Sequence, residues 1–198
     1  GGGLVLGLAL NPVFLLVLAG YYVLTLAYSL RLKRKALVDI CVLALLYVAR
    51  VIGGAAAMGI APSVWLLAFS AFLFLALAAV KRLAELVDMQ ERGQYSASGR
   101  GYMLSDLPVV GQIATSSGFV AVLVLMLYLN EPEVLLLYNR PMLLWAACLA
   151  LLYWVARMVL KAQRGEMNDD PIVFAARDRV SLITVVVVAA LFAAAVAL

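Results

Sequence analysis

The chain has 198 residues, of which 67% are hydrophobic and 13% are charged, and its mean hydropathy is +1.08. Soluble domains contain only about half apolar residues, so this composition excludes a soluble globular domain, a disordered region and a nucleic-acid module, despite a net charge of +4. The absence of histidine also excludes an imidazole base, a histidine-ligated zinc ion and a Ser-His-Asp triad.

Six continuous apolar runs are each long enough to cross a bilayer as a helix, which takes about 20 residues. In chain order they are residues 13–30, 36–58, 63–80, 107–129, 142–160 and 180–198. They show no period-two alternation of the kind found in membrane barrels. Residues 3–10 are too short to span, and because the chain begins at Gly1 we expect them to end a truncated helix. The sequence predicts one all-α domain over residues 1–198, a polytopic membrane bundle with six complete transmembrane helices and a stub.

The charged residues are concentrated on one face of this bundle. The alternate connections at 31–35, 81–106 and 157–179 hold 13 of the 15 lysines and arginines, so the positive-inside rule makes this face cytoplasmic. The same face carries nine of the eleven acidic residues, more than orientation requires. This excess predicts a site for a charged ligand, with a cation.

The second run carries polar residues within the membrane. Asp39, Tyr47, Arg50 and Gly54 fall on one stripe of a helix. Arg50 would lie roughly 20 Å from the cytoplasmic end, where an arginine is costly unless it faces a partner or a polar cavity. Two roles remain open for it: a structural ion pair with a carboxylate of another helix, or contact with a ligand phosphate.

A second cluster follows the third run, where Lys81, Arg82, Glu85 and Asp88 are three or four residues apart along one helical edge. Such carboxylates can hold Mg²⁺ through oxygen ligands while the cations bind phosphate oxygens. The alternative is an interfacial helix end with snorkelling cations and i,i+4 ion pairs.

A third cluster precedes the last run. Asp169, Asp170 and Pro171 predict a turn in which Asp170 caps a helix that begins at Pro171, and charged residues 177–179 follow. The alternative to a functional role is that these residues cap the helix and that their charges fix the orientation of the last span in the membrane. The end of the first run adds further candidates, which could equally be positive-inside anchors: Tyr28, Lys33 and Arg34.

Catalysis by this chain would have to use carboxylates, lysine, arginine, tyrosine, asparagine or a hard cation. Cys41 and Cys148 lie within apolar runs and not in paired spacing, which argues against a disulfide framework or a thiolate metal site.

In this order and spacing, the clusters resemble the UbiA-type intramembrane prenyltransferases. The segments that carry the resemblance are residues 28–39, 50–54, 81–86 and 165–179. The last of these looks like the branch around decaprenyl-phosphate phosphoribosyltransferase and its relatives fused to a haloacid-dehalogenase-like domain.

The resemblance implies nine transmembrane helices around a cavity open to the cytoplasm and to lipid, of which the six runs would be the fourth to the ninth. Family members hold Mg²⁺ and a (di)phosphate with two acidic motifs. The first, of the Asn-Asp-x-x-Asp type, is absent from these residues, so we expect them to be inactive alone. The place of the second, usually rich in aspartate, is taken by Lys81, Arg82, Glu85 and Asp88.

The resulting hypothesis is a transferase of the inner (plasma) membrane with its active face in the cytoplasm. It would move a polyprenyl group from its diphosphate to a small polar or aromatic acceptor with Mg²⁺ or, alternatively, a phosphoribosyl group from its diphosphate to a polyprenyl phosphate. No nucleic-acid partner is expected. A transporter and a non-catalytic scaffold are the rival classes, although no inverted repeat supports a transporter. The assigned residues are Glu85, Asp88 and Lys81 for catalysis; Lys33, Arg34, Arg82, Tyr28, Arg50 and Asp39 for the phosphate; and Glu85, Asp88, Asp169 and Asp170 for the metal.

Overall fold

The computed structural model describes residues 12–93, 101–167 and 170–197, and within these ranges the chain folds into α-helices and two short 3-10 helices. Six segments are long and apolar enough to span a membrane. This confirms the predicted all-α polytopic bundle. The α-helices are α1 (Pro12–Leu30), α2 (Val38–Ala57), α3 (Val64–Glu91), α4 (Leu107–Leu129), α5 (Pro132–Leu135), α6 (Met142–Gln163), α7 (Pro171–Arg177) and α8 (Arg179–Ala197), and the 3-10 helices are Leu32–Arg34 and Leu104–Asp106.

The third helix differs most from its prediction, because α3 continues to Glu91 instead of ending near residue 80. No glycine or proline interrupts residues 64–92, and the polar residues after Val80 include good helix formers. The helix stops where Gly93 adopts a φ of 67°. Its 28 residues make it about 42 Å long, and a hydrocarbon core is only about 30 Å thick. The polar end of α3 therefore extends beyond the apolar layer.

Helix α3 lies at the centre of the bundle and packs against α2, α4 and α6. At the polar end its residues Val80, Leu83 and Leu86 are buried with apolar side chains of α4 and α6. A second cluster lies nearer the opposite end and joins α4, α5, α6 and α8; its buried members are Val122, Leu129, Val134, Leu144, Cys148 and Ala195.

The outer surface of the bundle is apolar. Helix α1 has no buried residue and packs mainly on α2, and its Leu16 and Val23 side chains are exposed. Such a surface is suited to lipid, because acyl chains solvate apolar side chains and the helices satisfy their own backbone polar groups.

Candidate active site

A cavity of about 460 Å³ opens where the polar end of α3 meets the start of α7. Three charged residues of α3 and Arg92, which directly follows it, line the cavity because they recur every three or four positions and so share one helix face. Asp170 and Met167 close the other side from the segment before α7. The charged residues that line the cavity are Lys81, Glu85, Asp88, Arg92 and Asp170.

Lys81 and Asp170 join the two sides of this cavity. The Lys81 Nζ donates to Asp170 Oδ2 at 2.6 Å, and the two side chains are 32% and 27% exposed. Asp170 also caps α7 as predicted, because its Oδ1 accepts from the Ile172 N–H at 3.0 Å. Burial opposes ionisation of Asp170, but the hydrogen bonds from Lys81 and Ile172 outweigh it and lower the pKa of the carboxyl group. Asp170 is therefore held as a carboxylate.

A buried polar cluster lies beside the cavity. Arg82 and Asp39 have side chains that are 1% and 0% exposed, and Arg82 Nη2 lies 2.7 Å from Asp39 Oδ2. The Tyr28 hydroxyl donates to Asp39 Oδ1 at 2.9 Å, and Arg82 also pairs with Glu85, which lines the cavity. Arg82 Nε has no hydrogen-bond partner among the described residues, and the contact of Asp39 Oδ2 with Arg82 is an ion pair without hydrogen-bond alignment. This cluster ties α1, α2 and α3 together under Glu85.

Tyr102 lies in the connection between α3 and α4 and covers this cluster. It is 1% exposed, and the Arg82 Cζ lies 5.7 Å from the centre of its ring. Its hydroxyl oxygen accepts from the Leu37 N–H at 2.9 Å, where Leu37 has a φ of 64°, which is unusual for a leucine. Burial raises the pKa of Tyr102. The hydroxyl thus stays protonated and links the α3–α4 connection to the start of α2.

The structure groups part of the predicted site and separates the rest. Lys81, Glu85, Asp88 and Asp170 share the cavity, while Arg82, Asp39 and Tyr28 form the buried cluster behind it. Lys33 and Arg34 lie on the 3-10 helix between α1 and α2 and do not line the cavity. Asp169 lies outside the described residues.

Arg50 lies in a different, mostly apolar groove of about 280 Å³ between α1 and α2. It follows Asp39 by eleven positions on the same helix, which is about 16 Å of rise. Its Nε and Nη2 donate to the Tyr21 hydroxyl at 3.2 and 3.0 Å. Arg50 therefore binds a phenol oxygen in this groove, well away from the cavity.

Sequence reasoning missed three residues of this region. Arg92 lines the cavity and pairs with Asp88, its Nη2 lying 2.9 Å from Asp88 Oδ1. The four-residue spacing could have identified it. Met167 and Tyr102 carry no such signal. Each lies in a connection between two helices, and each reaches the site only because helices that are distant in the chain pack together.

The oxygen donors of the cavity suit a magnesium ion, which usually takes one or two carboxylates and completes its octahedral shell with water and substrate phosphates. Within the ranges that the structure describes, no group of three or more carboxylates or thiolates is close enough to form a metal site by itself. Glu85, Asp88 and Asp170 each lie beside a cation. The arrangement fits a site that an anionic ligand completes.

The sequence profile of the UbiA prenyltransferase family matches residues 1–181. An uncharacterized protein of Sinorhizobium fredii, y4nM, is 38% identical over 180 residues, which is 90% of this chain and 35% of that protein. Nodulation protein NoeC of Azorhizobium caulinodans is 35% identical over 169 residues, which is 85% of this chain and 55% of that protein. Decaprenyl-phosphate phosphoribosyltransferase of Mycobacterium tuberculosis is 43% identical over 77 residues, which is 39% of this chain and 26% of that protein. The chain thus spans between a third and just over half of the length of the first two relatives.

Proposed function

Because the chain belongs to the UbiA prenyltransferase family, we propose that it is the part of a membrane transferase that binds the phosphate end of a polyprenyl lipid. The reaction we favour transfers a phosphoribosyl group from phosphoribosyl diphosphate to a polyprenyl phosphate. The observation that carries the proposal is the cavity that gathers Lys81, Asp170, Glu85 and Asp88 at the polar end of the apolar bundle. The similarity to decaprenyl-phosphate phosphoribosyltransferase supports this choice of reaction.

In this reaction the bond between C1 of the ribose and the diphosphate oxygen breaks, and its electron pair leaves with the diphosphate. A phosphate oxygen of the polyprenyl phosphate forms the new bond to C1. Lys81 would neutralise the negative charge that develops on the leaving group, a kind of stabilisation worth about 10²- to 10³-fold in rate. Its ion pair with Asp170 holds the ammonium group at the cavity before the ligand arrives.

One or two of the carboxylates Glu85, Asp88 and Asp170 would hold a magnesium ion, whose shell water and the substrate phosphates would complete. Such an ion supplies charge neutralisation for the departing diphosphate when it is bound. Arg82 is buried behind Glu85, so its part is to orient the Glu85 carboxylate. Lys33 and Arg34 would attract the anionic substrates to this end of the bundle.

The second candidate is transfer of the polyprenyl group itself from its diphosphate to an aromatic or small polar acceptor. The family's description as prenyltransferases favours it. The same cavity would bind the diphosphate. The acceptor would form a bond to the prenyl C1 and lose a proton, while the bond between C1 and the diphosphate oxygen breaks and its electron pair leaves with the diphosphate. Family membership also argues against the transporter and scaffold hypotheses.

The test is an assay of the full-length protein in membranes with two pairs of substrates. One arm contains a polyprenyl phosphate and labelled phosphoribosyl diphosphate, and the other a polyprenyl diphosphate and an aromatic acceptor, each with Mg²⁺ or with a chelator. We expect labelled lipid in the first arm only, and none with the chelator. Product in the second arm alone would replace the favoured reaction by the second candidate, and product in neither would overturn both.

Lys81→Met tests the cavity in the same assay. We expect this variant to lose at least about 100-fold in kcat. The matched control is Lys161→Met, because Lys161 pairs with Glu166 at the same end of the bundle but does not line the cavity. Equal activity of the two variants would exclude the cavity as the reaction site.

A further inference from the structure

The short helix α7 has an aspartate at each end, and the two aspartates make different contacts. Asp170 caps its first turn and pairs with Lys81 in the cavity. Asp178 follows its last residue and stands at the start of α8. Both ends of α7 are therefore held by carboxylates, one on the cavity side and one on the side of α6.

The bonds at Asp178 are more numerous than those at Asp170. Arg157 of α6 donates from Nη1 to Asp178 Oδ2 at 2.6 Å and from Nη2 to Oδ1 at 3.0 Å. Asp178 Oδ2 also accepts from the Ser181 N–H at 2.8 Å and from the Ser181 hydroxyl at 2.7 Å. The Trp154 indole in turn donates to Ser181 Oγ at 3.0 Å.

Through these bonds the carboxylate of Asp178 connects α6 to α8. The side chains of Arg157 and Asp178 are only 14% and 15% exposed, and a bidentate arginine pair is geometrically specific. The hydrogen bond from Arg157, with the bonds from Ser181, lowers the pKa of Asp178 to about 2. Asp178 therefore stays ionised and paired under physiological conditions.

Helix α7 needs such an anchor. It has seven residues, and an isolated helix shorter than about 12 residues is marginal in water. Pro171 is its one buried residue, and Phe174 and Ala175 are partly buried against the core of the bundle. The other anchor, Lys81, is partly exposed in the cavity, where a phosphate ligand would compete with Asp170 for the ammonium group.

We propose that the Arg157–Asp178 pair is a positioning device that fixes α7 and thereby holds Asp170 in the cavity when a ligand engages Lys81. This inference rests on the proposed function for its catalytic consequence. Its structural consequence, the dependence of α7 on Asp178, stands independently of any reaction.

The first test measures amide hydrogen exchange of the ligand-free, full-length protein. Asp178→Asn removes the ion pair, and we expect exchange at least about tenfold faster for the amides of residues 172–177, with no change across α4. The matched control is Asp106→Asn, because Asp106 also accepts a backbone N–H at the start of a helix at this end, from Met103 at 2.9 Å. Unchanged exchange in α7 of folded Asp178→Asn would overturn the proposal.

Arg157→Lys is the second variant in case Asp178→Asn fails to fold. Lysine keeps the charge but cannot form the bidentate pair, so exchange of α7 should be faster than in the wild type. Exchange equal to that of the wild type would show that the bidentate geometry of the pair does not stabilise α7, and would also contradict the proposal.

The second test is a double-mutant cycle. For each variant it measures the Mg²⁺ concentration that gives half-maximal transferase activity. Partners behind metal ligands typically change metal affinity by about 10- to 100-fold, so Asp178→Asn should raise this concentration by that factor. If Asp178 acts through Asp170, the double variant Asp170→Asn/Asp178→Asn should be no worse than Asp170→Asn alone. Additive losses would overturn the positioning role. Absence of any activity would instead count against the proposed function and leave the exchange result to decide.

Discussion

Arg82 of α3 and Arg92, which directly follows this helix, form ion pairs in opposite surroundings. The side chains of Arg82 and Asp39 are 1% and 0% exposed, whereas those of Arg92 and Asp88 are 67% and 54% exposed. Removing one partner of a buried pair leaves an uncompensated charge away from water. Water and salt screen an exposed pair, which therefore contributes little to stability. The two arginines therefore provide a matched comparison of a buried and an exposed ion pair.

We predict that Arg82→Gln lowers the free energy of unfolding by about 3–5 kcal/mol, because Asp39 is left buried without its cation. Arg92→Gln should change it by no more than about 1 kcal/mol. Denaturant titration of the purified protein in detergent micelles, followed by circular dichroism, measures both. Similar losses in the two variants would contradict the burial of Arg82. The double variant Arg82→Gln/Asp39→Asn should lose less than the sum of the single variants.

Arg50 shows how a charge within the apolar bundle is accommodated without a neighbouring carboxylate among the described residues. Its Cζ lies 5.7 Å from the ring centre of Tyr21 and 5.0 Å from that of Tyr47, and the Tyr21 hydroxyl accepts its hydrogen bonds. The π faces of aromatic rings attract cations. The predicted need for a partner at this depth is therefore met by tyrosines of α1 and α2.

At the scale of elements, Gly118 of α4 lies where this helix approaches α6 and α3 closely. A Cβ added there would overlap Val155 Cγ1 of α6 and would lie 3.5 Å from the Ala76 Cβ of α3. Valine has few alternative rotamers within a helix, so the contact cannot be relieved by a side-chain movement alone. The glycine allows α4 to pack tightly against its neighbours, as small residues do in membrane bundles.

We predict that Gly118→Ala destabilises the protein by about 1–3 kcal/mol, the usual cost of overpacking. Gly111→Ala in the same helix is the control, because a Cβ there would lie 3.8 Å from Leu83 Cδ1, an ordinary contact. It should stabilise the protein by about 0.5–1 kcal/mol through the helix propensity of alanine. The same denaturant titration measures both, and adding Val155→Ala should restore stability to Gly118→Ala. Stabilisation by Gly118→Ala would show that α4 and α6 are not so close.

The spans could be predicted from the sequence because the length of an apolar run is a local property. The predicted run 107–129 coincides with α4, and the other runs differ mainly at their ends. Hydropathy marked where α3 stops being apolar, near residue 80, but not where the helix ends at Glu91. Gly93, which ends it by adopting a positive φ, is a local signal that hydropathy does not include.

Part of the candidate site could be predicted in the same local way. Lys81, Glu85 and Asp88 share a helix edge, so their spacing alone grouped them. The contact of Lys81 with Asp170 joins residues that are 89 positions apart, and Tyr102 reaches Arg82 only because α3 and α4 pack together. Such contacts depend on helix packing, which a single sequence does not encode in its spacing.

At the scale of the whole molecule, the bundle has two unlike ends. One end carries the cavity, the buried Arg82 cluster and the Arg157–Asp178 pair. The positive-inside rule predicts that this end faces the cytoplasm, where soluble phosphorylated substrates and magnesium are available. Gln90 is exposed at the end of α3, and Glu133 is exposed in α5. The membrane span α4 lies between them in the chain. These two positions therefore report opposite sides of the membrane.

We predict that a cysteine at Gln90 is reached only from the cytoplasm and a cysteine at Glu133 only from outside. The experiment uses Gln90→Cys and Glu133→Cys in a background with Cys41→Ser and Cys148→Ala, which removes the two cysteines of these 198 residues. A membrane-impermeant maleimide added to intact cells should label the Glu133 variant alone. After permeabilisation both should react, which controls for accessibility. The reverse pattern would place the cavity outside the cell, and would remove the basis for a reaction that draws on cytoplasmic substrates.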